Sequence, residues 1–405
     1  MLLIIAVVSK GVSKETVETK PKISVEHTVV DKEETRIYAL RLAKLKDALT
    51  AYFEKAINAR EIVGAGVSIV RGDSILISEG FGKRNSSEKA KVNGETVFRL
   101  GSLSKGFAGV LAADLKAEGK INWEDKITDY IPEFRLGDEE NTAKIRISHI
   151  LSHSSGTPYH SFTNLVEAGL PVAEIATRFH EVTPQNEPGL QYSYQNAMFA
   201  LSEEVILKAT GQDVKLALQN RFFNPLGMCT ASMNLESLTQ ADNVALPHGR
   251  GGKGYRSLPL KDRYYNAVVA GGIDASSLDM AKWMRFLLGR NPEVMKKKAI
   301  AEVFRPIIAL RDNNKYYQRW PGHITSSYGF GWRIHKFQDI DSKEDITIWH
   351  HGGSVNNYRN EIAIYPEADL GICVLLNSNS RLASTVIPDL YSIVQRIYDH
   401  TDTSE

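Results

Sequence analysis

The spacing of apolar positions changes character several times along the chain. Over residues 35–59, Leu42, Leu45, Leu49 and Phe53 recur every three or four positions, which predicts an amphipathic helix. Two apolar runs follow at 64–70 and 74–78, split by Arg71-Gly72-Asp73, and together they predict a hairpin. The next helix starts near Ser102 and runs to about 118, where Gly119 stops it. From about 119 to 265 the pattern is mostly helical, with helices over 148–152, 172–181, 196–210 and 213–222. Loops rich in Gly and Pro separate them, and 249–254 reads as a mobile loop.

After a helix at 277–288 the pattern turns extended. Residues 346–350, 360–365 and 371–377 read as consecutive strands, the last two joined by the turn Pro366-Glu367-Ala368-Asp369. A helix over 383–398 closes the chain. Strands at both ends around a helical block predict an α/β (α+β) fold. One antiparallel sheet is formed by both chain ends, flanked by helices, with an inserted, mostly helical subdomain. The sheet part covers about 35–118 and 266–400, and the insertion about 119–265. The cleft between them is the expected place for a site.

Composition narrows the classes. The chain has 405 residues, 42% apolar and 24% charged, as a soluble globular protein does. A net charge of +1 without a dense basic stripe gives no reason to expect a nucleic-acid partner, and none is expected. Lys296-Lys297-Lys298 reads as a solvated helix face. Cys229 and Cys373 are too far apart in sequence for a disulfide framework or a close-spaced zinc set, and Cys373 lies in an apolar run, as a core residue would. Met1 to Val8 is apolar but too short to span a bilayer. It has the length of a signal-peptide core without the usual basic residues or cleavage site. Residues 1–34 therefore read as a signal remnant and a flexible linker, and export to the periplasm or medium is the expectation, with a cytoplasmic chain as the alternative.

Three segments carry candidate chemistry. Ser102 stands three residues before Lys105, so a hydroxyl and an amine share one face of a helix start. A serine is a weak nucleophile until a base takes its proton, and a desolvated lysine can be that base. The plain alternative is that Ser102 or Ser104 caps the helix. Tyr194-Gln195-Asn196 precedes another helix, and such a Tyr can move a proton while an Asn holds an amide. Its alternative is a buried aromatic and a capping Asn. His351-Gly352-Gly353 follows an expected strand, where small residues let a substrate approach the backbone or simply make a glycine turn.

In this order the three segments resemble the serine β-lactamase and penicillin-binding protein superfamily, most of all its class C β-lactamase-like branch with DD-peptidase and esterase relatives. Supporting segments match in order: Phe98-Arg99-Leu100-Gly101, His149 through Gly156, Asn224 through Met228, Ala270-Gly271-Gly272 and Tyr328 through Trp332. The resemblance spans about 42–398. It implies a serine hydrolase with Ser102 as the nucleophile, and Lys105 and Tyr194 sharing the proton work, either of them as the base. It also implies Asn196, His351, Gly352, Gly353 and Ser354 as substrate-binding residues, and the backbone N–H groups of Ser102 and Ser354 as an oxyanion hole. No metal and no organic cofactor are implied. The partner is a small-molecule or peptide substrate.

The third segment departs from the common Lys-Thr-Gly, which supplies a cation and a hydroxyl for a substrate carboxylate. Here His351 takes the place of the cation, and Gly352 loses the hydroxyl. Esters, amides or D-amino peptides suit such a site better than β-lactams. Arg359 stands downstream as a possible replacement charge, and Asn356-Asn357 alters the following loop. Two other classes compete: a metallohydrolase using His149 and His153, four apart, and a non-catalytic penicillin-recognising sensor or scaffold. The former lacks the Glu of His-Glu-x-x-His. The latter should have lost motif residues that are all present here.

Overall fold

The computed structural model describes residues 32–252, 254–311, 314–339 and 343–399. The expected signal remnant and most of the linker lie outside these residues. Helix α1 (Lys32–Asn58) begins three residues before the expected start, so 32–34 are helical rather than linker. Residues 32–40 belong to one unit, and everything from Arg41 onward to a second.

The second unit is built on an eight-stranded antiparallel sheet. In chain order its strands are β1 (Gly64–Arg71), β2 (Ser74–Gly82), β7 (Ile308–Ala309), β8 (His323–Tyr328), β9 (Arg333–Gln338), β10 (Asp345–Val355), β11 (Tyr358–Tyr365) and β12 (Leu370–Leu376), with the short pairs β3 (Val97–Arg99)/β6 (Asp274–Ser276) and β4 (His248–Gly251)/β5 (Gly254–Ser257) outside it. Across the sheet the order is β2-β1-β12-β11-β10-β9-β8-β7, so β12 from the end of the chain pairs with β1 from its start. The sheet closed by both chain ends is as expected. Within the stretch expected as a mobile loop, residues 249–251 and 254 lie in the paired strands β4 and β5, and His248 N–H donates to Asn377 O at the start of the first strand.

Alternation along β12 shows how both faces are covered. Ile372, Val374 and Leu376 pack with Leu45, Leu49 and Phe53 of α1 and with Leu390 and Val394 of the closing helix. Cys373 and Leu375 point the other way, into the core shared with Phe107, Leu111 and Trp283. A fully buried side chain of this size contributes roughly 1.5–3 kcal/mol.

At the centre of that second core runs helix α2 (Ser104–Ala117), buried on nearly every side. Glycines let it approach the chain before β9 closely. A Cβ on Gly106 would meet the Trp332 ring at 2.7 Å, and one on Gly109 would overlap Phe330 O. Beneath it, the fully buried pair of Arg99 (β3) and Asp274 (β6) lies 3.3 Å apart. Arg99 also donates to the carbonyls of Lys261 and Arg263, while Asp274 accepts from Tyr265 and Ser232. The stretch leading to Ser102 is thereby pinned.

The inserted block contains the expected helices with shifted or divided bounds. The 196–210 helix divides into Asn196–Ala200 and Ser202–Thr210, and the 213–222 helix widens into a π turn over Gln219–Phe223. No helix among the described residues is long and apolar enough to cross a membrane.

Candidate active site

Ser102 lies in a single 3-10 turn, Gly101–Leu103, directly before α2. Neither serine caps the helix, whose N-cap is Leu103 without a side-chain bond; Ser104 Oγ instead accepts from Ile273 N–H. Gly101 has φ +57°, a conformation that strains any L side chain, and a Cβ there would lie 2.9 Å from the Ser354 backbone. The turn is therefore pressed against β10.

Around the Ser102 hydroxyl the structure brings together three of the expected residues. Tyr194 O–H donates to Ser102 Oγ at 2.9 Å, and Lys105 Nζ lies 3.5 Å from the same oxygen. Lys105 is 0% exposed and donates to Asn196 Oδ1 (2.8 Å) and Ala270 O (2.7 Å). Its ammonium is held well below the ordinary lysine range, first by burial and then by the nearby Arg333 guanidinium. The Tyr194 phenol is pushed up to about 12, chiefly by burial.

The parts that hold these groups were mostly silent in the sequence. Asn196 is itself oriented by donating to Tyr264 Oη at 3.0 Å. The Ala270 carbonyl belongs to the helix Val268–Gly271, whose Val269 N–H is taken by Glu203. His153 has φ +58°, accepts Gln195 N–H on Nδ1, and packs its ring 4.2 Å from that of Tyr194. That explains the 149–156 segment as a brace for Tyr194, and it corrects the metal reading. The helix ends at Leu151, so His149 and His153 share no helix face, and His149 Nδ1 instead accepts from Arg146 N–H. Among the described residues no group of three or more His, Cys, Asp or Glu is placed to hold a metal ion.

The third segment is strand rather than turn, because β10 continues to Val355. Asn356 (φ +45°) and Asn357 (φ +70°) make the two-residue turn into β11, a conformation that asparagine tolerates. In such a hairpin Val355 and Tyr358 form the closing hydrogen-bonded pair, and bonding then alternates. Ser354, opposite Arg359, thus turns its N–H away from β11. On that other side β9 pairs with β10 only as far as Arg333–His350, so the Ser354 backbone faces the Ser102 turn.

His351 lies beside this edge but is 1% exposed, with both ring nitrogens engaged. Nδ1 donates to Gly352 O (2.8 Å), and Nε2 accepts from Tyr328 O–H (2.9 Å). Burial, and then the charge of Arg333, keep it well below the usual histidine range, hence neutral. It supplies neither a permanent cation nor an open hydrogen-bonding edge. Gly353 lets the strand reach the nucleophile turn, since a Cβ there would overlap Leu100 O.

One residue outside the expected set stands out. Arg333, first in β9, has buried Nε and Nη1 atoms without a hydrogen-bond partner, and its guanidinium lies over the Tyr317 ring at 4.9 Å. A buried guanidinium without a carboxylate is costly unless a ligand completes it. That same Tyr317 helps line a cleft of about 900 Å³, with Tyr159, Leu190, Tyr192, Leu310 and Lys315 among others. Ser102 is not in its wall; the cleft runs along the segment two residues before Tyr194.

This fold and constellation define a β-lactamase-type protein. The chain belongs to the Beta-lactamase family, whose model matches residues 49–391. It is 26% identical over 342 residues to unguisins hydrolase ungD' of Aspergillus campestris, covering 80% of this chain and 59% of that protein. It is 22% identical over 339 residues to protein flp of Staphylococcus aureus, covering 81% and 62%. The chain thus spans about three-fifths of the length of these relatives. The octameric penicillin-binding protein homologue from Pyrococcus abyssi shares the fold, with a TM-score of 0.72 at 23% identity, covering 85% of this chain and 77% of that one.

Proposed function

We propose that this protein is a serine hydrolase that forms an acyl-enzyme on Ser102. Its target is an ester, amide or lactam carbonyl in a small molecule or peptide that carries a free carboxylate. The observation that carries the reading is Ser102 Oγ held between Tyr194 O–H and Lys105 Nζ. Family membership and the relatives named as hydrolases support it.

A neutral amine has two N–H donors and one lone pair. Asn196 Oδ1 and Ala270 O take the two donors, which leaves the lone pair for the Ser102 proton. Lys105 is then the base for attack, and Tyr194, still protonated, passes a proton to the leaving group. Water enters the vacated side and reverses the relay, releasing the acid. The backbone N–H groups of Ser102 and Ser354 bind the developing oxyanion. His351 takes no charge in these steps.

Arg333 favours a carboxylate-bearing substrate, as a DD-carboxypeptidase or D-amino peptidase would use. The test compares a D-alanyl-D-alanine peptide with its C-terminal amide. The free acid should be hydrolysed at least about tenfold faster, the scale of one hydrogen-bonded charge, and Arg333→Gln should remove the difference. Equal rates on acid and amide would count against the carboxylate, and ester turnover alone would then make the protein an esterase.

A further inference from the structure

The side-chain space of Gly352 is already occupied. A Cβ on Gly352 would lie 2.6 Å from Tyr316 Oη and 2.9 and 3.0 Å from the two Glu361 carboxylate oxygens. Tyr316 O–H donates to both of those oxygens, at 2.9 and 2.7 Å. His350 Nε2 donates to Glu361 Oε2 at 2.8 Å from the opposite side. Arg359 completes the group: Nη2 lies 2.8 Å from Glu361 Oε1, and the guanidinium lies 5.2 Å from the Tyr316 ring centroid. These residues come from one face of β10 and β11 and from the 3-10 turn Tyr316–Arg319.

The cluster has a direction. Glu361 is 1% exposed, whereas the Arg359 side chain is 22% exposed. Glu361 pairs with Nη2 of the fork, and the guanidinium also bonds to Tyr316. Arg359 stands directly opposite Ser354, whose side chain is exposed on the same face of the hairpin. Arg359, Ser354 and Arg333 therefore border the strand edge that leads to Ser102. One carboxylate against two guanidiniums leaves this edge positive.

We propose that Arg359 is a specificity-determining residue that binds the substrate carboxylate together with Arg333, and that Tyr316 and Glu361 are the positioning residues that hold it over Gly352. The charge absent from His351 is thus supplied from the next strand, and the turn before β8 holds it in place. Gly352 is small because the clamp fills its place. This rests on the acyl-serine reading above.

The test uses two aryl esters, 3-acetoxybenzoate and its neutral methyl ester, and reads the ratio of their kcat/KM values. Wild type should prefer the charged ester, and Arg359→Gln should cut that ratio by about tenfold, through KM, as loss of one charge-assisted hydrogen bond does. Arg359→Lys should retain part of the preference, and Tyr316→Phe should reduce it less than Arg359→Gln. If Arg359→Gln fails to fold because Glu361 is left unpaired, the double variant Arg359→Gln/Glu361→Gln removes both charges and reads the same ratio. An unchanged ratio, or no preference in wild type, overturns the proposal. Wild-type rates on both esters in Ser102→Ala would instead overturn the acyl-serine reading, whatever Arg359 does.

Discussion

Replacing Lys105 by alanine is expected to lower kcat by about 10³-fold, within the 10²–10⁴ range of a positioned base. The amine is the one group near Ser102 whose lone pair is free to take the proton, because Tyr194 is held protonated by burial. Asn196 and Ala270 O keep their places through Tyr264 and Glu203, so the pocket should persist around the missing amine. Circular dichroism of the variant should match wild type. The pH profile carries the sign. Below its depressed pKa Lys105 gains a proton and loses its lone pair, so wild-type kcat/KM should fall as pH falls through that value. The profile should already be level well below the ordinary lysine range. A rate that keeps climbing to about pH 10.4, where an unperturbed lysine titrates, would contradict a neutral Lys105.

Gly353→Ala should also be damaging, although it removes no chemical group. The added methyl would overlap Leu100 O and lie 2.7 Å from Leu103 Cδ1. Leu100 O is backbone and is already held by Asn360 Nδ2 at 3.1 Å, so it cannot swing aside cheaply. Either β10 or the Ser102 turn must move, and both bear on the oxyanion site. A displacement near 1 Å at a reacting centre costs on the order of 10²-fold in rate, and the overpacking about 1–3 kcal/mol in stability. Kinetics and denaturant unfolding on one preparation measure both. Full activity in Gly353→Ala would mean that the strand does not press on the nucleophile turn as described.

The parts visible in the sequence were the local ones. Ser102 and Lys105 are read from helical spacing, and β1, β2 and β10–β12 from apolar runs bounded by turns. Strand β7 escaped because it is only two residues long, and β8 and β9 escaped because some of their polar residues are buried in pairs. His335 Nδ1 meets Ser326 Oγ at 2.7 Å and its Nε2 meets His350 Nδ1 at 3.2 Å, so a fully buried histidine takes a place that hydropathy would assign to solvent. The Arg333, Tyr316, Glu361 and Arg359 group was hidden for another reason. Glu361 and Arg359 meet Gly352 and Ser354 through a register set by the Asn356-Asn357 turn, while Arg333 comes from β9 and Tyr316 from a separate 3-10 turn, and no spacing rule fixed these meetings in advance. His351 shows the converse: its position was legible, but its commitment to Tyr328 and Gly352 O was not.

The most direct test of the central claim is to acid-quench the protein while it turns over 3-acetoxybenzoate and to measure its intact mass with peptide mapping. An acetyl group on Ser102 in wild type, absent from Ser102→Ala, is the predicted result. Hydrolysis that proceeds at the wild-type rate in Ser102→Ala, or an acetyl group mapped as the turnover intermediate to another residue, would contradict it.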